Sequence, residues 1–112
     1  MEPDIDKTFF ALADKQRRTI VEMLGEGPQR PSQIAAALGI PRPALSRHLK
    51  VLREAGFIQV RDVSDDARGR SLALRREPVT AVRNWLEQVE AFWEDQLLSF
   101  KNHAEKKTKK RQ

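Results

Sequence analysis

Residues 38–58 read LGIPRPALSRHLKVLREAGFI, and the expected architecture follows from them. Two prolines bracket Arg42. Proline disfavours helical geometry in the residue before it and fits the first turn of a helix, so a helix is expected to begin at about Arg42–Pro43. It should run to about Ala55, because Gly56 supplies a stop signal.

This predicted helix has two chemically different faces. Its apolar face, formed at three- and four-residue spacing, comprises Leu45, Leu49 and Leu52. At about 100° per residue, the opposite face carries Pro43, Ser46, Arg47 and Lys50. His48 lies on the flank, and Arg42 and Ala44 occupy the first turn. An outward basic face behind a leucine anchor favours an anionic partner.

Three helices are predicted before this one in the chain. The first has Asp4 as a candidate cap and apolar residues from Ile5 to Ala13. The second follows in KQRRTIVEMLGEG, where Gly25 and Gly27 are expected to stop it. Ser32 is the candidate cap of the third, and Gly39 provides the left-handed turn that ends it.

A hairpin and a long helix complete the predicted elements. FIQVRDV (57–63) and RSLALRR (70–76) alternate in polarity around a turn-like SDDARG segment, which predicts two strands. Ile58 and Val60 share one face of the first strand. In the second strand the leucines are expected inward and Ser71, Ala73 and Arg75 outward. Helical spacing then covers residues 78–100, with an apolar series at Val82, Trp85, Leu86, Val89, Phe92, Trp93, Leu97 and Phe100.

Composition limits the classes of protein that fit. The chain has 112 residues, a net charge of +5 and no cysteine, so disulfides and thiolate metal sites are excluded. Residues 42–76 hold nine basic groups against four acidic ones, which suits a polyanion. No signal peptide or membrane span is apparent, and we expect a cytoplasmic protein without a membrane partner. We expect one domain over 1–101 and a basic, disordered tail over 102–112.

The element order is that of a winged helix-turn-helix, mainly α with a small β-hairpin, and three blocks resemble one family. FFALADKQRRTIVEML, ALSRHLKVLREAGFI and PVTAVRNWLEQVEAFWEDQL are similar to the first helices, recognition helix and last helix of ArsR-type winged-helix repressors without an evident metal site. The resemblance implies a homodimer through the first and last helices, and transcriptional repression. The chain departs from the family's usual pattern by having Pro41-Arg42-Pro43 where Ser and Gln-Pro often stand, and by lacking tyrosine.

These observations assign residues to two surfaces. For contact with double-stranded DNA we predict Arg42, Ala44, Ser46, Arg47, His48, Lys50, Arg68 and Arg70. For the dimer interface we predict Ile5, Phe9, Phe10, Trp85, Val89, Phe92, Trp93 and Leu97. Two readings stay open for some of them, since His48 could instead pack beside Leu45 and the aromatic stripe could line a ligand pocket. Arg17 and Arg18 are further candidates for phosphate contact.

Other functions are weighed against this one. No nucleophile–base pair or phosphate-cradling loop points to an enzyme, and no cofactor is expected. With only His48 and His103 as histidines, no metal site is expected either, and the acidic residues of the last helix are explained as a solvated face. The competing hypotheses are a winged-helix protein-interaction module that binds no nucleic acid, and a ligand- or metal-released sensor whose inducer is unknown.

Overall fold

The structure, a computed structural model, describes residues 3–62 and 70–110. In chain order the elements are α1 (Ile5–Leu12), α2 (Lys15–Glu26), α3 (Pro31–Leu38), α4 (Arg42–Glu54), β1 (Ile58–Asp62), β2 (Arg70–Leu74) and α5 (Glu77–Lys110). The two strands pair antiparallel. The predicted fold class, a mainly helical winged helix-turn-helix with a two-stranded wing, is confirmed. The chain divides into two compact units, Met1–Ala81 and Val82–Gln112.

One hydrophobic core holds the first unit together. Its largest fully buried side chains include Ile20 of α2, Ile34 of α3, Leu45 and Leu52 of α4, and Phe57 before β1. Removing such a side chain typically costs about 2–5 kcal/mol, because the cavity only partly collapses. The helix-turn-helix pair α3–α4 therefore sits on a shared core with α2 and the hairpin.

The helix boundaries follow the predicted signals with two exceptions. Asp4 caps α1 as predicted, and Asp14, which was not among the predicted caps, caps α2; their carboxylates accept hydrogen bonds from backbone N–H groups two and three residues on. The first exception is Gly25, which lies inside α2, so that only Gly27 ends the helix. The second is Ser32, which was expected to cap α3. Arg30 occupies the cap position instead, because Pro31 is well suited to the first helical position.

Both turns around α4 use a glycine in the left-handed region. Gly39, with φ of 65°, ends α3. Gly56, with φ of 83°, follows the end of α4. L-residues with a side chain rarely adopt such angles, so glycine at these positions allows the sharp turns that bracket α4. The predicted bounds of α4 are confirmed to within a residue.

The hairpin corrects the predicted pattern of inward and outward residues. Ser71 and Ala73, expected outward, are buried, whereas Val60 is 58% exposed. The reason lies in the pairing: β2 has β1 along one edge and Gln29, through a bridge to Leu72, along the other. Within the described residues, β1 pairs along one edge only, with β2. Short side chains of the enclosed strand are covered, and a side chain of the edge strand is not.

The last helix is longer than the sequence predicted. α5 was expected to end near Phe100, followed by a disordered tail, but it continues to Lys110. Five of residues 101–110 are lysine, and together with Ala104 and Glu105 these good helix formers allow the continuation. Among the described residues, no helix has the length and apolar character needed to span a membrane.

Candidate nucleic-acid interface

α4 presents its basic face to solvent, as the sequence predicted. Leu45, Leu49 and Leu52 are buried against the core. The exposed residues of the helix include Arg42, Ser46, Arg47 and Lys50, while Ala44 is half-buried in the first turn. No acidic residue lies in the first turn of α4. We call the exposed set Arg42, Ser46, Arg47 and Lys50 the basic face of α4.

His48 is held by α2 in the free protein. Its Nε2 lies 2.9 Å from Gln16 Oε1, and its Nδ1 lies 3.4 Å from Arg17 Nη1. Because a guanidinium has no acceptor, Nδ1 must accept and Nε2 must carry the proton donated to Gln16. Both ring nitrogens are therefore engaged within the chain, and the predicted contact between His48 and DNA stays a prediction.

Arg17 is half-buried and bonds to α1 within the chain, and its predicted contact with a DNA phosphate stays a prediction. Its Nε donates to Ala11 O at 2.8 Å and its Nη2 to Phe10 O at 2.9 Å. The guanidinium carbon lies 5.2 Å from the centroid of the Phe10 ring. Arg18 makes a similar bond, from Nη1 to Leu12 O at 2.8 Å. The two arginines thus satisfy carbonyl groups at the C-terminal end of α1.

The bonds of Arg17 to α1 and of Gln16 to His48 were not predicted from the sequence. A usable signal was present, because Asp14 caps α2 and places residues 16 and 17 in its first turn. A hydrogen bond from the backbone N–H of Arg17 holds the pKa of Asp14 below its ordinary value, and the charge of Arg17 acts in the same direction. Partial burial opposes this shift.

The wing is described only at its base. Arg70 is the first residue of β2, and its side chain is exposed. Arg68 lies outside the described residues, so its predicted contact stays a prediction. Arg61 on β1 is also exposed. Two exposed cations therefore flank the described part of the hairpin.

The predicted interface residues are largely exposed in each unit. In the first unit Phe10 is 62% exposed and Ile5 is half-buried. In the second unit the exposed large apolar residues are Trp85, Leu86, Phe92, Trp93, Leu97, Leu98 and Phe100. At about 100° per residue, all of these except Leu98 fall within an arc of about 140° on α5. A contiguous apolar stripe of this kind marks an interaction surface.

A metal centre finds no support in the described part of the chain. Within residues 3–62 and 70–110, no group of three or more histidine, cysteine, aspartate or glutamate side chains could hold an ion. This includes the acidic residues of α5, which face solvent.

Comparison with known proteins identifies the family. The model for bacterial regulatory proteins of the arsR family matches residues 14–60, which span α2, α3, α4 and the beginning of the hairpin. An ArsR family transcriptional regulator with a crystal structure is 32% identical. That match covers 80% of this chain and 94% of the other, with a TM-score of 0.70. The chain belongs to the ArsR family. It is accordingly a member of a family of regulatory proteins, not of enzymes.

Relatives of this ArsR protein include two curated regulators. HTH-type transcriptional regulator Rv2034 of Mycobacterium tuberculosis is 47% identical over 53 residues, which are 47% of this chain and 50% of the relative. Transcriptional repressor SdpR of Bacillus subtilis is 33% identical over 54 residues, or 48% of this chain and 60% of SdpR. The matches therefore span between about half and three fifths of these relatives.

A further solved structure shows the fold alone. The winged helix-turn-helix domain of Mb0332 from Mycobacterium bovis, described as homodimeric, is 22% identical over 78% of each chain, with a TM-score of 0.58. The homodimeric state is a property of that domain.

Proposed function

We propose that this ArsR protein is a sequence-specific DNA-binding transcriptional repressor that acts as a homodimer. α4 enters the major groove and the wing contacts the adjacent backbone. The proposed contacting residues are Arg42, Ala44, Ser46, Arg47, His48, Lys50, Arg68 and Arg70. Arg47 has the strongest claim to base contact, because an arginine can donate two hydrogen bonds to guanine O6 and N7.

One observation supports this proposal above the others. The three buried leucines hold α4 from one side, so that its basic face is free of the protein's own chain. A protein-interaction module has no need to keep such a face cationic. The net charge of +5 adds a favourable long-range attraction to a duplex.

The dimer is proposed from the exposed apolar residues of α1 and α5. A helix that exposes Phe92, Trp93 and Leu97 on one stripe leaves a large apolar area in water, and a second copy can bury it. The homodimeric domain of the same fold from Mycobacterium bovis is consistent with this assembly. Two-fold symmetry then requires an inverted-repeat operator, with half-sites about 34–36 Å apart.

Repression is the proposed outcome of binding. A dimer seated on a promoter blocks access to it, and one of the similar proteins is named a transcriptional repressor. Control of the protein's own promoter is the simplest arrangement and supplies the first DNA to test.

Fluorescence anisotropy with a duplex from upstream of the protein's own gene tests the proposal. We expect tighter binding than to a scrambled duplex, and a steep loss of affinity between about 50 and 200 mM salt, because bound phosphates release counterions. Binding to neither duplex at low salt would contradict DNA recognition and would favour the interaction module.

A further inference from the structure

A cleft of about 440 Å³ opens where the start of α3, the start of α4 and the start of β2 come together. The described residues that line it are Arg30, Pro31, Ser32, Arg42 and Arg70. We call it the arginine cleft. Its three arginines come from three different elements, and no acidic side chain is found among these lining residues. Converging guanidinium groups are typical of a site for an oxyanion, since each can donate two parallel hydrogen bonds.

The cap residues of the two helices that begin at the arginine cleft supply no side-chain acceptor, although Gln33 Oε1 accepts the backbone N–H of Arg30 at 2.9 Å. Arg30 caps α3 and carries donors only, and Pro41 caps α4 and has no polar side chain. The first turns of both helices also lack acidic residues. In contrast, Asp4 and Asp14 supply carboxylate acceptors to α1 and α2. The helix-turn-helix pair thus adds partial positive charge to the cleft.

Two side-chain donors in the arginine cleft, on Ser32 and Arg42, are available to a ligand. Within residues 3–62 and 70–110, the structure gives no hydrogen-bond or ion-pair partner to the Ser32 hydroxyl or to the Arg42 guanidinium. A phosphate group suits these donors, because its several oxygens can accept from a hydroxyl and from guanidinium groups at once.

We propose that the arginine cleft binds one phosphate group of the DNA backbone. This inference rests on the proposed function and adds Arg30 and Ser32 to the residues that contact DNA. Arg42 belongs both to the arginine cleft and to the basic face of α4, so a duplex lying along that face brings its backbone to the cleft. The bound phosphate joins the first turns of both helices to the base of the wing. It fixes the register of α4 in the groove without reading sequence.

Charge-matched variants test the proposal. Arg30→Gln removes one cation from the arginine cleft, and Arg53→Gln removes one from the exposed last turn of α4, outside the cleft. We expect Arg30→Gln to weaken binding to operator and scrambled duplexes by a similar factor of about ten, and to reduce the salt slope by about one. Ser32→Ala should weaken both duplexes less, with the slope unchanged. Thermal unfolding followed by circular dichroism establishes that each variant is folded.

The outcomes separate this proposal from the one it rests on. If the wild-type protein binds no duplex, the proposed function fails and the cleft assignment fails with it. If the wild type binds DNA but Arg30→Gln behaves as Arg53→Gln does, the cleft assignment alone is overturned.

A scan with single methylphosphonates locates the phosphate within each half-site. One uncharged position should weaken the wild type more than it weakens Arg30→Gln, because the variant has already lost one of the cations that pair with that phosphate. Absence of any such position would overturn the assignment. Calorimetric titration with inorganic phosphate tests whether the cleft instead binds a free ion. Tight binding of inorganic phosphate, with no duplex position that affects the wild type and Arg30→Gln differently, would assign the cleft to a free phosphate ligand and overturn the proposal.

Discussion

His48 Nε2 lies 2.9 Å from Gln16 Oε1, which joins a side chain of α4 directly to one of α2. Arg17 Nη1 approaches the other ring nitrogen, at 3.4 Å. Because Arg17 also donates to two carbonyl groups of α1, the three helices meet at one small polar cluster. This cluster lies on the flank of α4, between its buried leucines and its basic face.

The bond between His48 and Gln16 should be measurable as a coupling energy. In a double-mutant cycle of His48→Ala and Gln16→Ala, we expect the two losses of unfolding free energy to differ from additivity by about 0.5–1.5 kcal/mol. Urea unfolding of the four proteins gives the values. Additive losses would show that the side chains do not depend on each other.

Arg17 should contribute more to stability than its neighbour Arg18. Arg17→Gln loses bonds to the carbonyl groups of Phe10 and Ala11 and the contact with the Phe10 ring, whereas Arg18→Gln loses one bond, to Leu12. Both changes remove one positive charge. We expect a loss of about 2 kcal/mol for Arg17 and about half of that for Arg18. Equal losses in urea unfolding would contradict the inward role of Arg17.

The cap of α2 should make stability depend on pH. The pKa of Asp14 is lower in the folded chain, since its carboxylate accepts the Arg17 backbone N–H. Its ionised form therefore stabilises the fold above the unfolded-state pKa, and this contribution is lost as the pH falls through the folded-state pKa. Asp14→Ala should cost about 1 kcal/mol at neutral pH, and the difference from wild type should shrink in acid.

Asp14→Asn is the control for this experiment. An asparagine keeps an acceptor at the cap but cannot ionise, so its unfolding free energy should stay close to the wild-type value in acid. A gap between Asp14→Ala and the wild type that is constant from neutral to acid pH would contradict the assigned cause.

The proposed dimer implies that substitutions on two faces of α5 have different effects on self-association. Trp93 lies on the apolar stripe, and Ala91 lies about 200° away around the helix. Trp93→Glu should weaken self-association about 30-fold or more, because a charge replaces a large apolar side chain at the interface. Ala91→Glu should leave it unchanged. Sedimentation equilibrium compares them, and equal behaviour of the two variants would contradict an interface on this stripe.

The sequence predicted the elements that depend on local signals. Leucine spacing and paired prolines predicted α4, and the Asp4 cap and the turn glycines Gly27 and Gly39 predicted limits of its neighbours. Prediction from the sequence failed where a segment distant along the chain determines whether a side chain is buried. The burial of Ser71 and Ala73 depends on Gln29, which pairs with β2 from far along the chain.

The candidate site shows the same division. The basic face of α4 follows from helical periodicity, which is local. The role of Arg17 and the proposed role of Arg30 depend on distant parts of the chain, because Arg17 donates to carbonyl groups of α1 and Arg30 lines a cleft with Arg42 and Arg70. One local signal was available at Arg30. It precedes Pro31, which favours the first position of a helix, and its side chain has no hydrogen-bond acceptor for the cap.

The central claim is that the basic face of α4 reads DNA sequence, and Arg47→Ala tests it most directly. The measurement is the ratio of affinities for the upstream duplex and a scrambled duplex, by fluorescence anisotropy, with Arg53→Ala as the charge-matched control. We expect Arg47→Ala to lose about 1–3 kcal/mol of discrimination, and Arg53→Ala to keep the wild-type ratio. A wild-type ratio in Arg47→Ala would contradict base recognition by this residue.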